Sequence, residues 1–260
     1  MKVFNNITKL IIFPAYYVIH KNFFFGLIHK FLIKKFYYKT FKFNLNIKGI
    51  SLPSRSSFFF KTYEYNDRKL VEKYINHKNN CIIIGGGLGF IPTLAFHKSK
   101  KKVLVFEINK TIIKNLRTNL IDNNCKFNLY NNNLVLKNTK KTSKYFLGNS
   151  FLSTSQYDKK GKPEHVDNIH INKIKDFKRF NTLIMDGEGI EEYFITNINR
   201  IPNIQNIIFE LHNNMFELKK INFLFSNLKK NNFVLIDKCF NSYYFKKLKL
   251  NNKTVSLTSN

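Results

Sequence analysis

The chain has 260 residues, enough for one large domain with a hydrophobic core and an appendage. Its hydrophobic content of 43% excludes global disorder. The formal charge of +28, from 44 Lys and Arg against 16 Asp and Glu, suggests nucleic acid or an anionic membrane surface as partner, although the abundance of Lys, Asn, Ile, Phe and Tyr with no Trp is also what an AT-rich coding sequence produces.

The first 50 residues are apolar and basic together. The longest charge-free run, Leu10–His20, has eleven residues, short of the roughly 18 needed to span a bilayer. No small-residue cleavage site follows it, so it does not read as a signal peptide. Phe, Tyr and Ile interleaved with Lys21, Lys30, Lys34 and Lys35 suit an appendage lying on an anionic membrane surface. The alternative is a helix or strand pair packed on the main domain. A boundary is expected in KGISLPSRSS, residues 48–57, where Gly, Pro and Ser cluster.

Beyond it, strands and helices alternate. NDRKLVEKYINH has helical spacing at Leu70, Val71, Tyr74 and Ile75. CIIIGGGLGF reads as a buried strand running into a glycine loop, and IPTLAFHKS as a helix with Pro92 in its first turn. KVLVFE is a second strand, ending in Glu107. NKTIIKNLRTNLID is a helix that Asn109 is expected to cap, and KFNLYN is a third strand. Residues 133–160 turn polar and β-leaning and read as a hairpin-like insertion. NTLIMD, EGIEEYFITNI, NIQNIIFELH and FELKKINFLFSNLKKN then resume the strand–helix alternation, and FVLIDK with SYYFKKLKL forms a closing antiparallel pair. This order predicts a mostly parallel α/β sheet with right-handed crossovers. Ligands of such sheets bind beyond the carboxyl ends of the strands. The glycine loop, Glu107, Asp186–Glu188 and Glu210–His212 all fall at such ends.

Cysteines Cys81, Cys125 and Cys239 are odd in number, widely spaced and without a CxxC pair. That fits neither a disulfide framework nor a thiolate zinc site, and implies a reducing, cytoplasmic compartment. The glycine loop is not a P-loop, since no Gly-Lys-Ser/Thr follows, nor is it G-x-G-x-x-G. Gly85, Gly87 and Gly89 allow a tight turn and close approach of a ligand without a pyrophosphate. Glu107, about twenty residues on, has the placement of an acid that accepts from both ribose hydroxyls of an adenosine ligand. The block IMDGEGIEE, residues 184–192, gathers Asp186, Glu188, Glu191 and Glu192 in a chain that is otherwise poor in acids. Glu191 and Glu192 suit the first turn of a helix, where its dipole favours negative charge. Asp186 and Glu188 are candidates for orienting an acceptor hydroxyl and taking its proton, and His212 is a candidate base or acceptor-binding group. Two acids and a histidine also match a divalent-metal set, which spacing alone does not demand. His165 and His170 are further candidates for acceptor contact.

IIIGGGLGF at 82–90, VFEINKTIIKNL at 105–116, IMDGEGIEE at 184–192 and IIFELH at 207–212 together resemble the FkbM-type methyltransferases. The resemblance spans roughly residues 55–240 and lies in the ordered set of motifs. It implies a Rossmann-like class I methyltransferase fold, with a mostly parallel seven-stranded sheet and an antiparallel C-terminal strand pair. It implies S-adenosylmethionine as cofactor, held at Gly85, Gly87, Gly89 and Glu107, and O-methylation of a sugar, glycan or lipid-linked glycan hydroxyl. Two positions depart from the family pattern: Ile83 stands where an acid is usual, and Asn172 where Asp is usual. Competing expectations are a nucleic-acid methyltransferase, disfavoured because an acid-rich edge repels phosphates, and a binding protein on a decayed methyltransferase fold.

Overall fold

The structure is a computed structural model that describes residues 23–32, 35–45, 50–137, 140–148, 154–155, 161–187, 189–212 and 217–248. Helix α1 (Phe23–Leu32) leads into the hairpin β1 (Lys35–Tyr38) and β2 (Phe41–Asn44), then helices α2 (Leu52–Phe59) and α3 (Tyr65–Tyr74). The alternation follows as β3 (Cys81–Ile84), α4 (Phe90–Ser99), β4 (Val103–Phe106), α5 (Ile113–Asp122) and β5 (Phe127–Tyr130). Strands β6 (Asn133–Val135), β7 (Thr142–Leu147), β8 (Thr154–Ser155) and β9 (Lys162–His170) come next. The chain then returns through β10 (Thr182–Met185), α6 (Ile190–Thr196), β11 (Asn206–Glu210), α7 (Leu218–Lys230), β12 (Phe233–Cys239) and β13 (Ser242–Lys247).

Seven strands form the main sheet in the order β12-β13-β11-β10-β3-β4-β5. Strand β13 is antiparallel to both neighbours, and the pairings from β11 through β5 are parallel. The chain steps outward from β3 through β4 to β5, then crosses back to β10 on the other side. The order therefore reverses between β3 and β10, and that reversal opens a crevice at the carboxyl ends of those strands. This is the expected Rossmann-like α/β architecture.

The central strands are apolar throughout because both faces are covered. Ile82, Ile84, Leu104, Phe106, Leu183, Met185, Ile207 and Phe209 point into one core, with Phe194 and Ile195 of α6 and Leu224 and Leu228 of α7. Their alternates Ile83, Val103, Val105, Ile184 and Ile208 point into the other, with Leu70 and Val71 of α3, Leu94 of α4 and Leu116 of α5. Ile83, the position where the resembled family carries an acid, is 1% exposed in this second core.

Four local expectations change. Part of the N-terminal segment belongs to the core. Phe36, Phe43 and Leu45 are buried, and the Phe90 ring meets those of Phe36, Tyr38, Phe43 and Tyr63 at 5.2–5.9 Å. Aromatic burial of that size outweighs the basic side chains between these residues, which point outward. The boundary expected at 48–57 includes α2. Ser51 Oγ accepts from Ser54 N at 3.2 Å and Pro53 sits in the first turn, so residues typical of a linker here start a helix. Asn109 does not cap α5. Its Oδ1 accepts from Thr111 N at 3.0 Å and holds the turn before the helix. The polar insertion is a four-stranded sheet in the order β6-β9-β7-β8 and runs on to His170, ten residues beyond the expected end at 160.

Candidate active site

The glycine loop is shaped by its own backbone. Gly85, Gly87 and Gly89 have φ of +87°, +51° and +87°, a region that residues with a Cβ rarely adopt. At Gly85 a Cβ would lie 1.9 Å from the Asp186 carbonyl oxygen, so the loops after β3 and β10 touch at this point. Gly85 N and Gly86 N both donate to Phe106 O, at 3.0 and 3.2 Å, which draws the loop toward the end of β4.

Glu107 completes that end. Its Oε2 accepts from Gly87 N at 2.9 Å and its Oε1 from Asn109 N at 2.8 Å, while Asn131 Nδ2 donates to its backbone carbonyl at 2.7 Å. The residue is 6% exposed. Burial raises its pKa, and the amide N–H groups of Asn109 and Gly87 oppose that rise. Each carboxylate oxygen has two lone pairs, so both can still accept from a ligand hydroxyl.

Tyr63 and Glu64, just before α3, roof the same loop. From the point where a Gly87 Cβ would sit, Glu64 Oε1 is 3.4 Å away and Tyr63 Oη 3.5 Å. Glu64 has a left-handed φ of +47°, and its enclosed Oε2 has no hydrogen-bond partner among the described residues. Burial pushes its pKa up to about 8. The Tyr63 hydroxyl lowers it, and the charges of Asp186 and Glu210 raise it further. Asp67, three residues on, is 2% exposed, with both carboxylate oxygens unpartnered among the described residues. Burial holds its pKa well above the usual range, and Glu210 and Asp186 add to the rise. The Ser242 hydroxyl beside it opposes the rise without meeting hydrogen-bond geometry. Neither acid was legible as a site residue in the sequence, where Glu64 precedes and Asp67 falls within NDRKLVEKYINH, a segment read only as a helix. An acid doublet in so basic a chain was the one available signal.

On the other side of the crevice, His212 Nε2 lies 3.2 Å from Asp186 Oδ1, the geometry of a ring N–H donating to a carboxylate. One ligand-capable atom each from Asp186, Glu210 and His212 fall within 4.8 Å of one another. Asn66 Nδ2 donates to Asn241 Oδ1 at 2.6 Å, and Asn241 Nδ2 donates in turn to Glu210 Oε1. Glu191 belongs to the scaffold. Fully buried, it accepts from Gly187 N and Gly189 N at 2.8 Å each and closes the loop onto α6. Burial raises its pKa to about 7, against those N–H groups and His212. Glu192 pairs with Lys220 at 2.6 Å and ties α6 to α7.

Of the residues singled out in the sequence, the crevice thus gathers Gly85, Gly87, Gly89, Glu107, Asp186 and His212. Glu188 lies outside the described residues. His170 serves a turn, its Nδ1 accepting from Asn172 N at 3.2 Å. The exposed Asn172, where the resembled family usually has Asp, lies in the short 3-10 helix that follows β9. His165 lines a shallow depression with Lys110, Asn131, Thr142 and Asp167, beside Glu107. The insertion docks through Tyr193 Oη, which accepts from Leu136 N at 2.8 Å, and through Lys110, which pairs with Glu164 at 2.9 Å.

No family model and no curated protein sequence matches the chain, so the family resemblance stands on the motifs alone. Among solved structures, a methyltransferase from Pyrococcus furiosus superposes with a TM-score of 0.45 at 14% identity, covering 86% of this chain and 94% of that one. The ribosomal protein L11 methylase of Lactobacillus delbrueckii subsp. bulgaricus gives 0.43 at 12% identity, covering 70% and 77%. M. capricolum TrmK, in complex with S-adenosylhomocysteine, gives 0.40 at 15% identity, covering 69% and 65%. Similarities this loose decide nothing about activity. The fold class rests on the strand order, and any functional reading rests on the site.

Proposed function

We propose that the protein is an S-adenosylmethionine-dependent methyltransferase that methylates a hydroxyl of a sugar, glycan or lipid-linked glycan. The observation that carries this reading is the convergence at the crevice. A glycine loop held by Glu107 faces a group of carboxylates, and Glu64, Asp67 and Glu107 have no Lys or Arg ion partner among the described residues. Such a site favours a cationic ligand with vicinal hydroxyls. S-adenosylmethionine fits it, with a ribose diol for Glu107 and an ammonium and sulfonium for the carboxylate side. Gly85, Gly87 and Gly89 let the backbone approach that ligand, and Glu64 brings to the loop the acid that Ile83 does not supply.

When bound, S-adenosylmethionine supplies a methyl group on a positively charged sulfur. The chain contributes position and a proton acceptor. Asp186 and His212 take the proton that the acceptor oxygen loses as it bonds to the methyl carbon and the carbon–sulfur bond breaks. The depression around Lys110 and His165 is the acceptor side. The exposed Phe23, Phe24 and Phe31 of α1, beside Lys30, support contact with an anionic membrane surface where a lipid-linked acceptor would lie. Among the described residues no helix is long and apolar enough to cross a membrane.

The test is transfer of label from methyl-tritiated S-adenosylmethionine to glycan, lipid-linked glycan and RNA fractions. Alkali-stable label in glycan supports the reading. Label confined to RNA, which the charge of +28 would attract, would replace the acceptor. Absence of label in all three fractions would contradict the reading.

A further inference from the structure

The geometry points to a divalent-cation site made by Asp186, Glu210 and His212, taking a metal of the magnesium–manganese class. Its three ligands come from the ends of two adjacent parallel strands, β10 and β11, so the sheet itself sets their spacing. The ligand-capable atoms all lie within 4.8 Å of one another, and His212 Nε2 is 3.2 Å from Asp186 Oδ1. Ligands bonded to Mg²⁺ at about 2.1 Å lie about 3 Å apart when adjacent and about 4.2 Å apart when opposite, so the set is close to coordinating distances. Two carboxylates with one imidazole suit Mn²⁺ or Mg²⁺ better than a thiolate-seeking metal.

Two further observations support the site. The Asn66–Asn241–Glu210 hydrogen-bond chain fixes the Glu210 carboxylate from behind, the kind of outer support that metal ligands carry. Asp67, buried and with both oxygens unpartnered among the described residues, lies close enough to Glu210 and Asp186 to feel their charges. A buried carboxylate without a hydrogen bond is costly, so Asp67 favours its protonated form until a cation faces it. His212 Nε2 enters coordination as the neutral ring nitrogen, and the proton it shares with Asp186 leaves to solvent. Three protein ligands leave about three octahedral positions for water and acceptor oxygens. The metal's role rests on the methyltransferase reading: it would hold two hydroxyls of the acceptor beside Asp186, whose second oxygen would then take the proton alone while His212 serves as ligand. Its binding does not depend on that reading.

The test is titration of the chelator-treated full chain with Mn²⁺, following free Mn²⁺ by electron paramagnetic resonance, with Mg²⁺ as competitor. One saturable site is expected, displaced by Mg²⁺ and weakened at least about tenfold in Glu210→Gln and in His212→Ala. Binding of S-adenosylhomocysteine to each sample, read by calorimetry, reports the fold and the cofactor site separately. A wild-type sample that binds S-adenosylhomocysteine but no Mn²⁺ overturns the metal site and leaves the methyltransferase reading standing. So does Mn²⁺ binding that survives unchanged in both variants. Saturable Mn²⁺ binding without S-adenosylhomocysteine binding keeps the metal and removes the methyltransferase.

Discussion

The two sides of the crevice hold their carboxylates in opposite ways. On the β4 side, Glu107 is fixed by backbone: Gly87 N and Asn109 N each donate to one of its oxygens, at 2.9 and 2.8 Å, and leave each a further lone pair. That geometry exists before any ligand arrives, so binding there costs little reorganisation. On the β10–β11 side, Asp186 and Glu210 meet side chains, His212 and Asn241, while among the described residues Asp67 keeps both oxygens unpartnered and Glu64, over the glycine loop between the two sides, keeps one. In the proposed function one side is a fixed receptor for a neutral diol. The other is an under-compensated set of acids, with Glu64 and Asp67 pushed by burial toward their protonated forms, that a cation would complete. In the proposed function the contrast accounts for so basic a chain concentrating acids here: they lie where positive charge on a ligand would be held.

The strongest way to break the contrast is at the point where the sides touch. Gly85→Ala would drive a Cβ into the Asp186 carbonyl from a backbone with φ of +87°. A loss of roughly 4 kcal/mol or more is expected, with cofactor binding abolished, as read by denaturant unfolding and calorimetry. Next comes the preorganised side. Glu107→Ala leaves two buried N–H groups unpaired and should cost roughly 2–4 kcal/mol of stability. It should also weaken S-adenosylhomocysteine at least about tenfold. Glu107→Gln retains one acceptor and should lose about half as much of each. Equal behaviour of Glu107→Ala and wild type would show that the carboxylate organises nothing. Tyr193→Phe removes the acceptor for Leu136 N. It should cost about 1–2 kcal/mol and raise amide exchange in β6, with the main sheet unchanged.

The under-compensated side is sharpened by pH. Glu64 near 8 and Glu191 near 7 both stand above their ordinary value of 4.5. The folded protein therefore retains protons that the unfolded chain releases. The stability they contribute is whole below the unfolded pKa and is lost as pH rises through 7 and then 8. Melting temperature should accordingly fall between pH 6 and 9, and Glu64→Gln should flatten that fall. A slope unchanged in Glu64→Gln would place the proton elsewhere. The smallest expected effect lies at α1. Replacing Phe23 and Phe31 by Ser should reduce partition onto anionic vesicles by roughly tenfold, and unchanged partition would remove α1 from the membrane contact.

The sheet was readable because its signals are local. Runs such as CIII, VLVF and TLIM are apolar at every position, and strand ends carry glycine or acid within a residue or two. The same locality exposed Gly85, Glu107, Asp186 and His212. What escaped depends on contacts remote in sequence. Glu64 and Asp67 join the site only because α3 packs beside β11, β12 and β13, which no spacing rule encodes. Asn109 satisfied the rule for a helix cap, yet its side chain found Thr111 first. Phe36 and Phe43 sit among lysines and looked like surface until the Phe90 cluster covered them.

The central claim is that the crevice holds S-adenosylmethionine. Calorimetric titration of the purified full chain with S-adenosylmethionine, S-adenosylhomocysteine and NAD tests it most directly. Micromolar binding of the first two, with none of NAD and with both affinities weakened at least about tenfold in Glu107→Ala, is the predicted result. A folded sample that binds neither, or that binds NAD instead, would contradict the account.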